Sequence, residues 1–399
     1  MLAHLKTGRR LFVAILAMAS NGFSGAQTPT PAPGQLQQAA REISTGELQQ
    51  AEKNLSGVLR SNPGDYRAID LMGVIRVLQH NEASAQQMFI EVTNAKPDFA
   101  PGHAHLGLLY LRMNRPDDAI PELREALKLD PRRADAADAL VHILRDRAQT
   151  ASQQGDLNSA LTMLIEARTY APANPDVLFQ FGVVALKQSL IDDAIQAFEK
   201  ALAVRKDDPF TMFYLGYALM DEGKFEDARR QFARYVDLRP DDPSGYGALG
   251  MALAGLGRPD QARAQFVRSV TLDPKQSESF YQLGLLDLDA GDYAAAQQHL
   301  QQAIEIKPSD AATLAAMGRV DFEQKHYPEA IDHLQQAIGQ DASLEEAHYY
   351  LGLTFARMGR KPESDDQLSL AAQLEEQRKA RGRQVLRLRE PNGASPSSK

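Results

Sequence analysis

Residues 209–242 read PFTMFYLGYALMDEGKFEDARRQFARYVDLRPDD, and residues 243–276 follow with PSGYGALGMALAGLGRPDQARAQFVRSVTLDPKQ. The two stretches are equally long and share their punctuation. Within the first, Met212, Leu215, Gly216 and Leu219 recur at i, i+3, i+4 and i+7, the spacing of one helix face. Gly223 interrupts that pattern, a second helix follows with Ala228, Phe232 and Tyr235, and Arg239-Pro240 closes the unit, because proline ends a helix but can open the next turn. The reading is a helix–turn–helix unit of 34 residues.

The same ruler extends in both directions. Small residues stand at Ala39, Gly73, Gly107, Ala148, Gly182, Gly216, Gly250, Gly284, Gly318 and Gly352, spaced by 34 except for 41 between Gly107 and Ala148. Twelve residues later comes Ala in every unit from Ala51 to Ala330, then Ser364; four further on stands a large apolar residue, from Leu55 and Phe89 through Phe198, Phe232 and Phe266 to Leu368. Small residues let two helices approach, and the Phe/Leu column fills the space beside them. Acidic pairs such as Asp117-Asp118, Asp192-Asp193 and Glu226-Asp227 open the second helix, where its dipole favours negative charge. The units fall at 32–65, 66–99, 100–133, 134–174, 175–208, 209–242, 243–276, 277–310, 311–344 and 345–378. The seven extra residues of the fourth unit lie in its first helix. About two added turns keep the apolar face of Leu140, Leu144 and Ala148. They make either a plain longer helix or a projection or joint between units 1–3 and 5–10.

These units resemble the tetratricopeptide repeat (TPR) family. Leu106-Gly107, Tyr110, Ala119, Leu123, Ala126 and Pro131 match its signature residue by residue, as do Leu215-Gly216, Ala228, Phe232 and Pro240. Departures are mild: Lys206 and Ala342 replace the terminal Pro, Gln38-Ala39 stands for Leu-Gly, and Ser364 for Ala. Degenerate end units suit a stack whose outer faces meet water. The resemblance implies an all-α, right-handed superhelical solenoid of about ten helix–turn–helix TPR units over residues 35–378. It also implies a concave groove, lined by the first helices, that holds a partner's peptide or helix. The groove positions form a second stripe offset from the core: Phe179, Val183, Phe210, Phe213, Tyr217, Met220, Met251, Tyr281, Leu285, Phe322 and Tyr349. An ordinary surface helix would be polar there. Either neighbouring helices bury the stripe, or it is an apolar cleft with Met and Tyr as adaptable anchors. Lysine is absent from the fifth position (Phe179, Phe213, Gly247, Tyr281, Ala315, Tyr349), so the carboxylate clamp of chaperone-linked members is not expected.

Other chemistry is scarce. The chain has 399 residues and no cysteine, which excludes disulfides, cysteine-ligated zinc, Fe–S sites and thiol nucleophiles. Its net charge of −8 argues against nucleic-acid binding. Residues 245–250 spell GxGxxG, but no strand precedes them and Gly250 belongs to the repeat ruler, so no dinucleotide site is expected. His103 and His105 are the only close histidine pair; two residues apart on a helix they point in different directions and cannot share a metal. No cofactor and no enzymatic activity are expected.

Both ends differ from the array. Residues 1–26 combine Lys6, Arg9 and Arg10, an apolar run from Leu11 to Ala19, and small residues at Ser24-Gly25-Ala26: the layout of a secretory signal peptide cleaved near Ala26. The run is too short to span a bilayer. Arg9-Arg10-Leu11-Phe12-Val13 also resembles the twin-arginine motif, though Gly8 stands where Ser or Thr is preferred, which favours the general secretory route. Residues 27–34 read as a Pro-rich linker. Removing residues 1–26 takes away three positive charges and no negative one, so the mature net charge becomes −11. Residues 379–399 read as a basic capping helix and polar tail. Arg378, Lys379, Arg381, Arg383, Arg387 and Arg389 interleave with Val385, Leu386 and Leu388, either as a solvated cap or as a contact with an anionic envelope surface or acidic partner. The expected protein is an exported, periplasmic or secreted scaffold that binds a protein or peptide, in cell-envelope assembly or secretion. A surface-associated protein and an accessory subunit of an envelope-modifying complex are the alternatives.

Overall fold

The computed structural model describes the backbone of residues 33–389 and the side chains of residues 34–378. Residues 1–26, read above as a signal peptide, and most of the expected linker lie outside the described residues. Pro33 and Gly34, read above as the linker's end, instead open the first helix.

The described residues form twenty α-helices and no strand. They pair as A and B helices, one pair per 34-residue unit. The A helices are Pro33–Thr45, Tyr66–Leu78, Ala100–Arg112, Ala134–Gln153, Pro175–Lys187, Pro209–Asp221, Pro243–Gly255, Ser277–Asp289, Ala311–Glu323 and Glu345–Arg357. The B helices are Leu48–Ser61, Glu82–Ala95, Pro116–Leu129, Leu157–Tyr170, Ile191–Val204, Phe225–Leu238, Pro259–Leu272, Tyr293–Ile306, Tyr327–Gln340 and Lys361–Arg389.

Local chemistry explains these boundaries. Asp65, Asn174, Asp208, Asp242 and Asp310 each precede an A helix, and their side chains accept hydrogen bonds from backbone N–H groups of its first turn. Pro175, Pro209 and Pro243 take the first helical position, where the missing N–H costs nothing. Every A-to-B turn passes through one residue with positive φ: Gly46, His80, Asn114, Gly155, Ser189, Gly223, Gly257, Gly291, Lys325 or Gly359. Six are glycine, which adopts that conformation freely, while a Cβ there costs roughly 1 kcal/mol.

Within a pair, the two sequence columns meet. A Cβ placed on Gly73, Gly182, Gly216 or Gly250 would stand 2.5–2.6 Å from a ring atom of Phe89, Phe198, Phe232 or Phe266. On Gly107, Gly284, Gly318 or Gly352 it would stand 2.6–2.8 Å from Leu123, Leu300, Leu334 or Leu368. Helix A therefore lies directly on the large side chain of helix B. All four phenylalanines of this column are fully buried, as are Ala51, Ala85 and their successors down to Ala330. Where the small residue is alanine, as at Ala39 and Ala148, the partner column holds Leu55 and Leu164.

Between pairs, within repeats 1–5 and within repeats 6–10, helix B packs on the next helix A, and each helix A also packs on the next helix A. No B helix packs substantially on the next B helix. The A helices are thus the more crowded layer and line the inner face. The chain divides into two compact units, Met1–Lys206 and Asp207–Lys399. The twenty-residue helix A of repeat 4 lies inside the first, with Leu140, Leu144 and Ala148 buried. The division thus falls between repeats 5 and 6, away from the joint considered for repeat 4.

At the C-terminus helix B of repeat 10 runs unbroken from Lys361 to Arg389, so residues 379–389, read above as a capping helix, continue it. Residues 390–399 lie outside the described residues.

Two buried acids tie A to B in repeats 8 and 9. Asp287 and Asp321, each 3% exposed, occupy the same position of the unit; His299 Nδ1 is 2.6 Å from Asp287, and His333 Nδ1 is 2.7 Å from Asp321. Arg263, from the preceding helix B, adds a 2.6 Å ion pair to Asp287.

Two outcomes are expected. Gly216→Ala should lower unfolding stability by about 1–3 kcal/mol through overpacking against Phe232. Adding Phe232→Leu should recover part of the loss, because it recreates the Ala/Leu pairing of repeats 1 and 4; urea unfolding followed by circular dichroism reads both. The hydrogen bond that His333 donates to the Asp321 carboxylate raises the pKa of His333 above its ordinary 6.5, against the opposing effect of burial. The pair's stabilisation is therefore complete below about pH 6.5 and fades as pH rises through the raised value. His333→Gln should cost more stability at pH 6 than at pH 9, and an equal cost at both would exclude the linkage.

Candidate partner-binding groove

The inner face follows from the packing of A helix on A helix. Residues at positions 2, 5, 9, 12 and 13 of each unit stand on helix A beside the core stripe and border that face. Phe179 and Val183 belong to the first compact unit; Phe210, Phe213, Tyr217, Met220, Met251, Tyr281, Leu285, Phe322 and Tyr349 belong to the second. None of the eleven is buried. Phe210 and Tyr349 are 53% and 46% exposed, and the other nine are half-buried.

The half-buried ones have structural partners. The Phe213 ring lies 4.9 Å from Tyr217 and 4.9 Å from Tyr235, and Tyr217 lies 5.4 Å from Phe232. One side of these residues thus extends the core of repeat 6, and the other faces the inner surface. Phe322 stacks edge-on against Tyr350 at 5.8 Å. Phe210 and Tyr349 are held loosely, by Arg239 over the Phe210 ring at 5.5 Å and by Tyr350 beside Tyr349 at 5.3 Å. In repeats 2 and 3, by contrast, the equivalent positions Val74, Val77, Ala104 and Leu108 are buried. There the inner stripe is closed by neighbouring helices, and the buried Asp70 meets His105 Nδ1 at 2.8 Å.

The face is not purely apolar. Arg319 reaches Asp289 at 3.4 Å and Glu346 at 3.7 Å and lies 5.5 Å from the Tyr350 ring, linking repeats 8, 9 and 10. Burial pushes the Tyr217 phenol up to about 12, and the charge of Glu278 adds to it. Tyr281 is likewise pushed up to about 12 by burial, with further contributions from Glu346, Glu278 and Asp310. Both phenols stay protonated at physiological pH and remain hydrogen-bond donors. Glu278 and Glu346 were absent from the expected site, although both stand at the second position of their units, where the ruler itself points to them.

The remaining candidates resolve differently. The GxGxxG stretch lies inside helix A of repeat 7, where Gly245 abuts Tyr235 and Gly250 abuts Phe266, so it forms no phosphate-binding loop. His103 is held by Glu122 at 2.7 Å and by the Pro97 carbonyl at 2.9 Å, and His105 by Asp70. No group of three metal-ligating side chains occurs among the described residues. Arg378 pairs with Glu345 at 3.1 Å. Lys379, Arg381, Arg383, Arg387 and Arg389 continue the last helix, with side chains outside the described residues. No described helix is long and apolar enough to cross a membrane.

Comparison with known proteins places this geometry. A family model for the tetratricopeptide repeat matches residues 145–209 and 213–277, a second matches 100–133, and a TPR repeat model matches 318–359. Together these cover just over half of the chain. A model for anaphase-promoting complex, cyclosome, subunit 3 matches residues 263–337. No curated protein matches the chain. Among solved structures, MamA from Desulfovibrio magneticus is 22% identical, covering 43% of this chain and 96% of its own, with a TM-score of 0.40. A tetratricopeptide repeat protein from Parabacteroides merdae is 14% identical, covering 64% and 98%, with a TM-score of 0.46. The Cut9–Hcn1 hetero-tetramer of APC/C is 14% identical, covering 84% and 86%, also at 0.46. With the 34-residue ruler, the paired helices and the three matching repeat models, the chain belongs to the tetratricopeptide repeat family.

Proposed function

We propose that this protein is a non-catalytic interaction scaffold that holds a segment of a partner protein along the inner face of its A helices. The observation that carries the reading is the exposure of Phe210 and Tyr349 on that face. Large apolar side chains left half open, beside rings already packed into the core, provide contact area at low entropic cost. The rigid part of the surface is supplied by Phe213 and Tyr217, which helix B fixes in place. No step of the scaffold role needs a reacting group.

The N-terminal pattern supports a role outside the cytosol, in the cell envelope, with the leader removed near Ala26. N-terminal sequencing of the protein recovered from its native cells should begin within a few residues of Gln27; a chain retaining Met1 or Leu2 overturns the assignment.

The groove is tested by placing a photo-crosslinking residue at Phe210 or Tyr349 and, as a control, at Val267, which is 46% exposed on helix B of repeat 7. Discrete adducts are expected from the first two positions and not from the third. Adducts from Val267 alone would move the binding surface to the other face.

A further inference from the structure

The groove of the second compact unit has a charge as well as a shape. At its inner-face positions stand Asp221, Glu278, Asp289, Glu323 and Glu346, against Arg319 and Arg357. Arg319 is already engaged by Asp289 and Glu346. Glu278 accepts a 2.9 Å hydrogen bond from the Gln282 amide, and Lys307, the cation within its field, is itself held by Asp310 at 2.7 Å. No described cation forms an ion pair with Asp221, Glu278 or Glu323. Glu278 stands three residues before Tyr281 on the same helix, the spacing of side-chain neighbours, and its charge also reaches Tyr217. A segment that interleaves cations with aliphatic side chains matches this surface. Its cations would meet Glu278 and its neighbours and lie against ring faces, while its aliphatics would cover Met251 and Leu285.

The chain carries such a segment. Residues 378–389 read RKARGRQVLRLR: six cations, no anion, and Val385, Leu386 and Leu388 among them. Arg378 is tied to Glu345 of its own molecule. The eleven residues beyond it continue the last helix for about 16 Å. An unbroken helix cannot turn back, so this segment does not reach the groove of its own molecule, whereas the groove of a second copy is open to it.

Resting on the groove reading above, we propose that the basic C-terminal segment of one molecule docks in the acidic, aromatic groove of the second unit of another copy. Because groove and tail are different surfaces, the contact is head-to-tail. It generates open chains or closed rings instead of a symmetric pair. It also places self-association in competition with a foreign partner for the same groove.

Sedimentation velocity of the full chain tests this at rising concentration and at two ionic strengths. Assemblies that grow with concentration and shrink with salt are expected. Glu278→Lys and, separately, Arg383→Glu/Arg387→Glu should each weaken association by about tenfold. An equimolar mixture of the two variants should recover it, since each reversed groove then meets a reversed tail. A wild-type chain that stays monomeric, reversed variants that associate like the wild type, or a mixture that fails to recover would each overturn the proposal. So would a tail that binds anionic vesicles without any self-association. Discrete photo-adducts with another protein from Phe210 or Tyr349, in a chain that stays monomeric, would leave the scaffold reading standing and remove only the self-docking.

Discussion

The fold depends on one contact: the backbone of helix A resting on a single large side chain of helix B, sixteen residues further along. Glycine inside a helix costs about 0.5–1 kcal/mol relative to alanine, and eight of the ten repeats accept that cost. The return is a phenylalanine or leucine removed from water, worth about 1.5–3 kcal/mol for each fully buried side chain. The contact also sets geometry. It fixes which side of helix A is core, and by exclusion which positions look toward the inner face. The groove is therefore a by-product of the packing rule and not a separate design.

The same rule leaves the two units with different inner faces. In repeats 2 and 3, valine, alanine and leucine at the inner positions let neighbouring A helices close over them, and a histidine–aspartate pair is sealed beneath. In repeats 6, 8, 9 and 10 the rings of Phe213, Tyr217, Tyr281, Phe322 and Tyr349 at these positions stay half open or exposed, while Leu288 and Ala315 among them are buried. Charge follows the same logic: Arg319 can span three repeats because register places Asp289 and Glu346 on either side of it.

Most of this was legible in the sequence because periodicity reports burial. Gly216 and Phe232 recur in phase because they meet, and the glycine and the Phe or Leu of their columns do meet in all eight repeats that carry the glycine. The turn between helices was legible only in part. Gly223 signals it, but Ser189 and Lys325 adopt the same left-handed conformation with no compositional hint, since register forces the backbone there. Phe213 and Tyr217 illustrate the limit for the site. Sequence left open whether they are core or cleft, and the structure shows one side of each ring serving the core and the other facing the inner surface, a split that a one-residue code cannot express. At the C-terminal end the last helix B runs on to Arg389, since no glycine or proline stands at residues 375–381 and Gly382 alone does not break it.

The pattern of helix contacts has a further consequence, for the time course of folding. Within each compact unit, the described helices pack substantially only on their own partner and on the adjacent pair, so no contact inside a unit waits for a distant part of the chain. Such a chain has low contact order and can fold in sequence, each hairpin of helices docking on the last as soon as it emerges. A polypeptide delivered end first, from a ribosome or through a translocation pore, would have stable native neighbours long before its last repeat arrived. Its exposed intermediate is never more than one uncovered helix pair, which keeps the period of aggregation risk short at every stage.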